Sequence, residues 1–493
     1  MFRNAAFRQS LILKAPDAIR RFILFMNSII VAGYTSRLTF TLKMRSAVWA
    51  AALFFIVFVV HSLCPIGSMF DSRWTIPVAL SLLDRGDTNI DEYRALIEKD
   101  EYYAVECVES GRTISFGKCK GHYYNWYPVA VPVLASPVVF TLRKAVLFLS
   151  PLLARFADPA LTPVRYAFVT GDFIGSRPLV EIVVASFFVA LTTVVIFFTG
   201  RLFLPDSYSA FLALIFAFAT SAWSTASRAL WQHGPSMLML SLALYLLLTA
   251  QSRPWRVVPA AIPLALAYLL RPNNALVVAV ISLYVARHYR RYLIAYLLCA
   301  LPVGAAFLIF NESIYHLALP TYFSRRPPLF NLPHDILPMM QAALGALVSP
   351  SRGLLIYTPV FLFSIWGMIW ARKTGWLQPL TGYLAAAVAG YWLLMVVYFE
   401  IWWAGHSYGP RYLSDVTPFL VFFLIPALMK WRESAKWPAP SAAAAFAVLL
   451  AASVFIHSRG ALRNEVYLWN VSPVNVDQNP ARVWDWRDPQ FLR

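Results

Sequence analysis

Residues 287–311 read RHYRRYLIAYLLCALPVGAAFLIFN. The first five, Arg287-His288-Tyr289-Arg290-Arg291, carry three arginines, and the run from 292 to 311 carries no charge. About 20 apolar residues wound as an α-helix span the hydrocarbon of a bilayer. Arginines gathered at one end of such a run are held on the cytoplasmic side. This stretch therefore reads as a membrane helix with its basic end inside.

The same pattern recurs along the chain. Apolar runs lie at 46–64, 179–200, 206–222, 235–250, 257–270, 275–286, 292–311, 354–371, 379–399, 416–430 and 438–455. Of the 493 residues, 59% are hydrophobic and 13% charged, whereas a soluble domain carries about 25% charged residues. The net charge is +18. In a soluble protein that excess would point to nucleic acid. Here the cations sit between apolar runs, so membrane topology accounts for them and no nucleic-acid partner is expected. The expected fold class is an all-α polytopic membrane protein with about eleven transmembrane helices.

Basic clusters orient the helices. Arg253 to Arg256, Arg287 to Arg291, Arg372-Lys373, Lys430-Trp431-Arg432 and the basic N-terminus belong inside. Alternation then places 65–178, 223–234, the 271–274 turn, 312–353, 400–415 and the tail from 456 outside. Residues 128–157 are apolar enough to cross, but one crossing there would invert every later helix. They are expected instead to form a hairpin in the outer leaflet, held by Pro128, Pro132, Pro137 and Pro151. Residues 1–45 are basic with a short apolar patch and read as an interfacial segment. Cys107 and Cys119 share the first outer loop, where an oxidising compartment would let them pair; two free surface thiols are the alternative. Cys64 and Cys299 read as small apolar residues of helices.

The polar and aromatic segments converge on the outer side. Asp71-Ser72-Arg73-Trp74 follows the first helix. Then come Tyr123 to Pro128, Trp223 to Arg228 with Trp231-Gln232-His233, Arg271-Pro272-Asn273-Asn274, Ser349 to Gly353, and Trp402 to Tyr412. Any one of these could be an interfacial anchor. Together they put arginine repeatedly on the face that disfavours it. Arginine forks onto phosphate oxygens, so a phosphate at the outer surface is the expected ligand. Arg271 and Arg411 are the first candidates to bind it, with His233, His406, Arg228 and Tyr408 next. Asp71, tethered beside the membrane, is the candidate general base for an attacking hydroxyl; a helix-capping role is its plainer reading. Asp87, Asp91 and Glu92 lie in a run of alternating charge that reads as a solvated face. Glu181 reads as a snorkelling charge or a partner for an outer arginine. No HExxH, phosphate-binding glycine loop or dinucleotide fingerprint occurs.

In this order of parts the chain resembles the GT-C superfamily of membrane glycosyltransferases, in particular the branch with the lipid A aminoarabinose transferase and the protein O-mannosyltransferases. The resemblance covers most of the chain. It rests on one helix followed by a long outer loop opening on an acid, here Asp71. An aromatic-proline motif, here Asn125-Trp126-Tyr127-Pro128, then leads toward juxtamembrane helices, and six further helices precede a second outer loop at 312–353. The resemblance implies a seven-helix module at 46–311 containing outer loop 65–178, C-terminal membrane helices at 354–455 and an extracytoplasmic tail at 456–493. It also implies a polyprenyl-phosphate-linked sugar as donor, a lipid, glycan or protein as acceptor, inversion at the anomeric carbon, and a bacterial inner membrane with the site facing the periplasm. Some relatives carry two adjacent acids where this chain has Asp71 alone, so no metal ligands are assigned and a metal requirement stays open. The alternative class is a transporter or flippase of lipid or polyprenol-linked glycan. That would favour charges or broken helices near mid-membrane, whereas here the charges gather at helix ends. A non-catalytic scaffold would have no need of outer arginines around a lone acid.

Overall fold

The computed structural model describes residues 44–68, 70–115, 119–153, 155, 162–319, 321–324, 336–397, 401–433 and 440–493. Nearly all of the 1–45 segment lies outside the described residues, as does part of the 312–353 loop. The chain divides into two units between Ala52 and Leu53. Of the first unit, residues 44–52 are described, and all are helical.

Among the described residues, seven helices are long and apolar enough to cross a membrane: Met44–Ser62, Ala130–Leu152, Arg177–Gly200, His233–Ala250, Arg290–Tyr315, Arg411–Arg432 and Pro440–Leu462. The chain is a mostly helical, multi-pass membrane protein. Six of these seven coincide with apolar runs of the sequence. The other five runs form shorter helices or broken ones, such as Asp206–Phe218, Ala275–His288 and the series Leu354–Tyr357, Pro359–Phe361 and Leu362–Thr374. Close helix packing explains one small residue among them. A Cβ at Gly367 would collide with the Phe423 carbonyl, so this helix approaches its neighbour backbone to backbone.

Ala130–Leu153 is a single α-helix containing Pro137 and Pro151, not the hairpin expected of 128–157. Internal proline removes one hydrogen bond and kinks a helix. Reversing the chain needs turn residues, and this stretch has no Gly, Asn or Asp. At mid-helix, Arg143 Nη1 lies 2.6 Å from Asp84 Oδ1, and Lys144 lies 5.5 Å from the Phe140 ring centroid.

The long loop after the first helix folds around its own core, and it is not wholly helical. Strands β1 (Val105–Glu109), β2 (Arg112–Ser115) and β3 (His122–Asn125) form an antiparallel sheet in the order β2-β1-β3. Cys107 pairs with Ile114 on one side and Tyr123 on the other. A Cys107–Cys119 disulfide, with Cα atoms 5.6 Å apart, closes the loop between β1 and β3. Trp74, Val78, Ile90, Ile97 and Tyr123 pack with it, and Trp74 Nε1 donates to the Tyr103 carbonyl at 2.7 Å. This core seats the start of helix Thr75–Asp84 and therefore fixes the turn that carries Asp71.

The tail is ordered and mostly non-helical. After helix Pro440–Leu462, Trp469, Val476 and Val483 bury themselves against Trp402, Trp403 and Ala342. Gln490 is fully buried. Its Nε2 donates to the carbonyls of Ser407 and Val466, both at 2.8 Å, and its Oε1 accepts from Arg352 Nη1 at 2.5 Å. Trp486 stays exposed, as do Leu468, Val471, Val474 and Leu492.

Candidate active site

Asp71 does not cap a helix. The residue before helix Thr75–Asp84 is Trp74, and no side chain caps that end. The half-buried Asp71 carboxylate instead receives three partners. The Tyr103 hydroxyl donates to Oδ1 at 2.9 Å, and Arg411 Nη1 donates to Oδ2 at 3.1 Å. The Tyr127 hydroxyl is the third. Burial by itself would raise the Asp71 pKa; the Arg411 charge and the two phenols outweigh it and hold the carboxyl below its usual range. Burial and the neighbouring Asp71 charge push the Tyr103 phenol up to about 12, so it remains a donor to the carboxylate at neutral pH.

Arg411 reaches this acid across the length of the chain. Gly409, at φ +62°, allows the sharp bend, and Pro410 leads into the 3-10 segment Arg411–Val416. The Arg411 guanidinium lies 4.4 Å from the Trp231 ring centroid and 5.7 Å from that of Tyr412, a cation–π seat. Its Nε is buried with no hydrogen-bond partner among the described residues. Glu181 positions both halves of the pair. Its Oε2 accepts from Ser72 Oγ at 2.5 Å and from the Leu230 N–H at 3.1 Å, and so ties the neighbour of Asp71 to the neighbour of Trp231. It is fully buried rather than snorkelling.

Arg271 has an acid of its own. At the end of helix Ala261–Leu270, its Nη1 hydrogen-bonds Asp415 Oδ2 and the Tyr391 hydroxyl, the latter at 3.1 Å. His233 Nδ1 lies 3.1 Å from the same nitrogen and 3.2 Å from Asp415 Oδ2. Asp415 is fully buried. Arg271 still borders the first pair, with its guanidinium 5.8 Å from the Tyr412 ring, but its charge is already met.

The remaining sequence candidates hold the fold together. Arg228 is buried and donates to the carbonyls of His61, Cys64, Ile66 and Trp223. It staples the chain after the first helix to the π-turn Ala222–Ala226. Tyr408 is buried and donates to the Ile456 carbonyl at 2.6 Å. His406 Nε2 lies 2.9 Å from Asn475 Oδ1 and 3.5 Å from Asp477 Oδ2, both in the tail. Asp87 pairs with Arg85, Glu92 with Arg85 and Ser81, and Asp91 with His122.

Two cavities flank the Asp71–Arg411 pair. Arg411 and Tyr412 line one with Trp402 and Trp403. Tyr127 lines the other with Tyr124, Trp126 and Tyr322. Among the described residues, the one group at metal-ligand spacing is Cys107, Glu109 and Cys119, whose two sulfurs are bonded to each other.

Sequence reasoning singled out Asp71 and Arg411 but missed Tyr103 and Asp415. Tyr103 sits in an unremarkable acidic stretch. Asp415 left a signal, an acid at the head of an apolar run, where an ionisable residue calls for a partner. Compared with known proteins, the chain matches no family model, and no curated protein or solved structure matches it significantly.

Proposed function

We propose that the chain is a membrane glycosyltransferase of the GT-C kind, moving a sugar from a polyprenyl-phosphate donor to an extracytoplasmic hydroxyl acceptor. The observation that carries the reading is the pairing of Asp71 with an aromatic-seated Arg411 between two cavities. An isolated surface ion pair would need neither the phenols on the acid nor the unmet Nε on the cation.

The chemistry follows from these positions. The acceptor O–H gives its proton to the Asp71 carboxylate as its oxygen bonds the anomeric carbon from the face opposite the phosphate. The C1–O bond to phosphate breaks, and its electron pair leaves with the polyprenyl phosphate. The product is inverted. Arg411 meets the charge growing on the leaving phosphate, with Trp231 and Tyr412 fixing its plane. The donor separates Asp71 from Arg411 on binding, and Tyr103 and Tyr127 keep the carboxylate in place when the arginine moves onto phosphate. Buried charge at helix ends, each cation with an acid or a row of carbonyls, suits a site of chemistry better than a transport path.

Eleven crossings remain the proposed topology, with helix Ala130–Leu153 lying at the outer surface. A crossing would carry Arg143 and Lys144 toward the bilayer centre, where charge is costly.

The test uses the purified full chain in lipid nanodiscs with a radiolabelled polyprenyl-phosphate hexose, and measures release of free polyprenyl phosphate with a glycosylated product. Arg411→Lys keeps the charge and loses the fork and stacking. It is expected to raise the donor KM about tenfold or more, the worth of one hydrogen bond to a charged group. Asp71→Asn is expected to lower kcat roughly 10²-fold. Full turnover by Asp71→Asn rules out this base, and movement of donor across the bilayer without cleavage puts a transporter in its place.

A further inference from the structure

A further cleft, of about 240 Å³, lies where helix Arg177–Gly200 begins. Its polar lining comes from Arg73, Asp100, Arg177 and Glu181. The two guanidiniums share one acid loosely. Arg73 Nη1 lies 3.3 Å and Arg177 Nη2 3.8 Å from the same oxygen, Asp100 Oδ2, both beyond the roughly 2.7–2.9 Å of a charge-assisted hydrogen bond. Aromatic rings fix their places: Arg73 lies 5.0 Å from the Tyr103 ring centroid and Arg177 5.6 Å from that of Trp74. Glu181 is fully buried, and its two oxygens differ. Oε2 accepts from Ser72 Oγ and the Leu230 N–H, while Oε1 has no hydrogen-bond partner among the described residues. A buried acceptor of this kind calls for a donor from a ligand or a water. The turn before the helix supplies none, because the Ile174 and Gly175 N–H groups both donate to Asp172 Oδ1, at 3.0 and 2.9 Å.

These features select among ligands. A metal cation would meet two guanidiniums. A bare phosphate would suit the arginines but set its lone pairs against Glu181 Oε1 and Asp100. A hydrocarbon chain would leave Oε1 unpaired, which weakens binding. A phosphodiester with an N–H or O–H donor a few bonds away satisfies every feature: its anionic oxygens take the two guanidiniums, and its donor meets Oε1. The cleft holds roughly eight waters, room for a headgroup of that many heavy atoms. Its position names the source. Helix Arg177–Gly200 is long and apolar enough to cross a membrane, so the cleft at its first turn lies at the bilayer boundary, where phospholipid headgroups lie. Phe70, whose ring centroid is 5.9 Å from the Arg73 guanidinium, is 58% exposed and offers an apolar surface to an acyl chain. We propose that this cleft binds the headgroup of a membrane phospholipid that carries a donor, an ammonium or a hydroxyl. The assignment stands apart from the transferase reading. The bound headgroup braces Glu181, whose other oxygen holds Ser72 beside Asp71 and Leu230 beside Trp231.

The experiment uses the full chain, delipidated in detergent, and titrates lipids of identical acyl chains: phosphatidylethanolamine, phosphatidylglycerol and phosphatidylcholine. The third has the phosphodiester but a methylated ammonium with no donor. Soluble glycerophosphoethanolamine serves as a fourth probe. Native mass spectrometry reads the affinity of the tightest lipid. The unmodified chain is expected to hold the ethanolamine and glycerol lipids about tenfold more tightly than the choline lipid, the worth of one hydrogen bond to a charged group. Glu181→Gln can turn an N–H toward the cleft in place of the acceptor, and should remove that preference. Arg177→Gln loses a charged contact to the phosphate and should weaken all three lipids about tenfold. Phosphatidylethanolamine with a photoreactive group on its glycerol should label the peptide spanning 172–181 of the unmodified chain, a result that needs no variant to fold. Equal affinity for the choline lipid, labelling confined to other peptides, or a folded Glu181→Gln that keeps the preference overturns the proposal. Glycerophosphoethanolamine bound as tightly as the lipid overturns the lipid as the source. Lipid selectivity at this cleft in a chain that transfers no sugar supports the headgroup site and removes only the transferase reading; transfer by a chain without that selectivity does the reverse.

Discussion

Asp71 is held as an anion by its neighbours, and this fixes how it responds to pH. Its folded pKa lies below the ordinary value because the Arg411 charge and the Tyr103 and Tyr127 hydroxyls outweigh burial. A carboxylate with a depressed folded pKa adds stability above its unfolded value of about 3.9 and loses it as pH falls through the folded one. Between about pH 5 and pH 8, neither turnover nor stability should change on account of Asp71. The pH profile of kcat checks this: an acid limb with its midpoint above about pH 5 that disappears in Asp71→Asn would place the base outside this ion pair. Arg271 makes a separate residue-scale case. Its acid, Asp415, is fully buried, so Arg271→Met strands a charge and should cost roughly 3–5 kcal/mol of stability. The double variant Arg271→Met/Asp415→Leu removes both charges and should recover most of that loss. Thermal unfolding in detergent reads both. A single variant as stable as the parent would free Arg271 for the phosphate role its sequence position suggested.

At the scale of elements, the long loop after the first helix carries a covalent tie. Cys107 and Cys119 are 12 residues apart, and closing a loop of that length stabilises by roughly 3 kcal/mol. Cys107→Ser with Cys119→Ser, or reduction of the unmodified chain, should lower the unfolding temperature of this loop. The proposed transferase activity should fall with it, because the same core seats Trp74 and, through it, the turn of Asp71. Hydrogen exchange resolved by peptide measures this directly: unchanged protection over 71–125 after reduction would show that the sheet and its aromatic core suffice alone. The helix Ala130–Leu153 teaches a lesson about proline. The spacing of Pro128, Pro132, Pro137 and Pro151 read as a series of breaks, yet proline next to apolar helix formers bends a helix without reversing it.

At the scale of the molecule, Gln490 ties distant segments together. Gln490 reaches Arg352, Ser407 and Val466, and Arg352 also donates to the carbonyls of Trp403 and Gly405. The tail therefore fixes the segment that leads to Arg411. Topology is the prediction that belongs at this scale. Reporter fusions after residue 160 and after residue 480 should both report the extracytoplasmic side, because basic clusters hold Arg287–Arg291, Arg372-Lys373 and Lys430–Arg432 inside. A cytoplasmic report at residue 160 would send helix Ala130–Leu153 across the bilayer and require the count of crossings to change by one.

Several features were legible from sequence because they are local. A charge-free run such as 292–311 and the arginines before it state a membrane helix and its basic end without reference to anything else in the chain. The acid after the first helix and the repeated arginines were legible for the same reason, as residue types in unusual places. Which arginine meets which acid was not. Asp71 and Arg411 are 340 positions apart, and Arg271 and Asp415 are 144 apart. No pattern of period 2 or 3.6 records such a pairing. Only packing decided that Arg228 bonds carbonyls, that Asp415 takes Arg271, and that Arg411 meets Asp71 with its Nε unpaired among the described residues. Burial makes those choices binding, since a charge removed from water must find its partner among whatever groups the fold brings within reach.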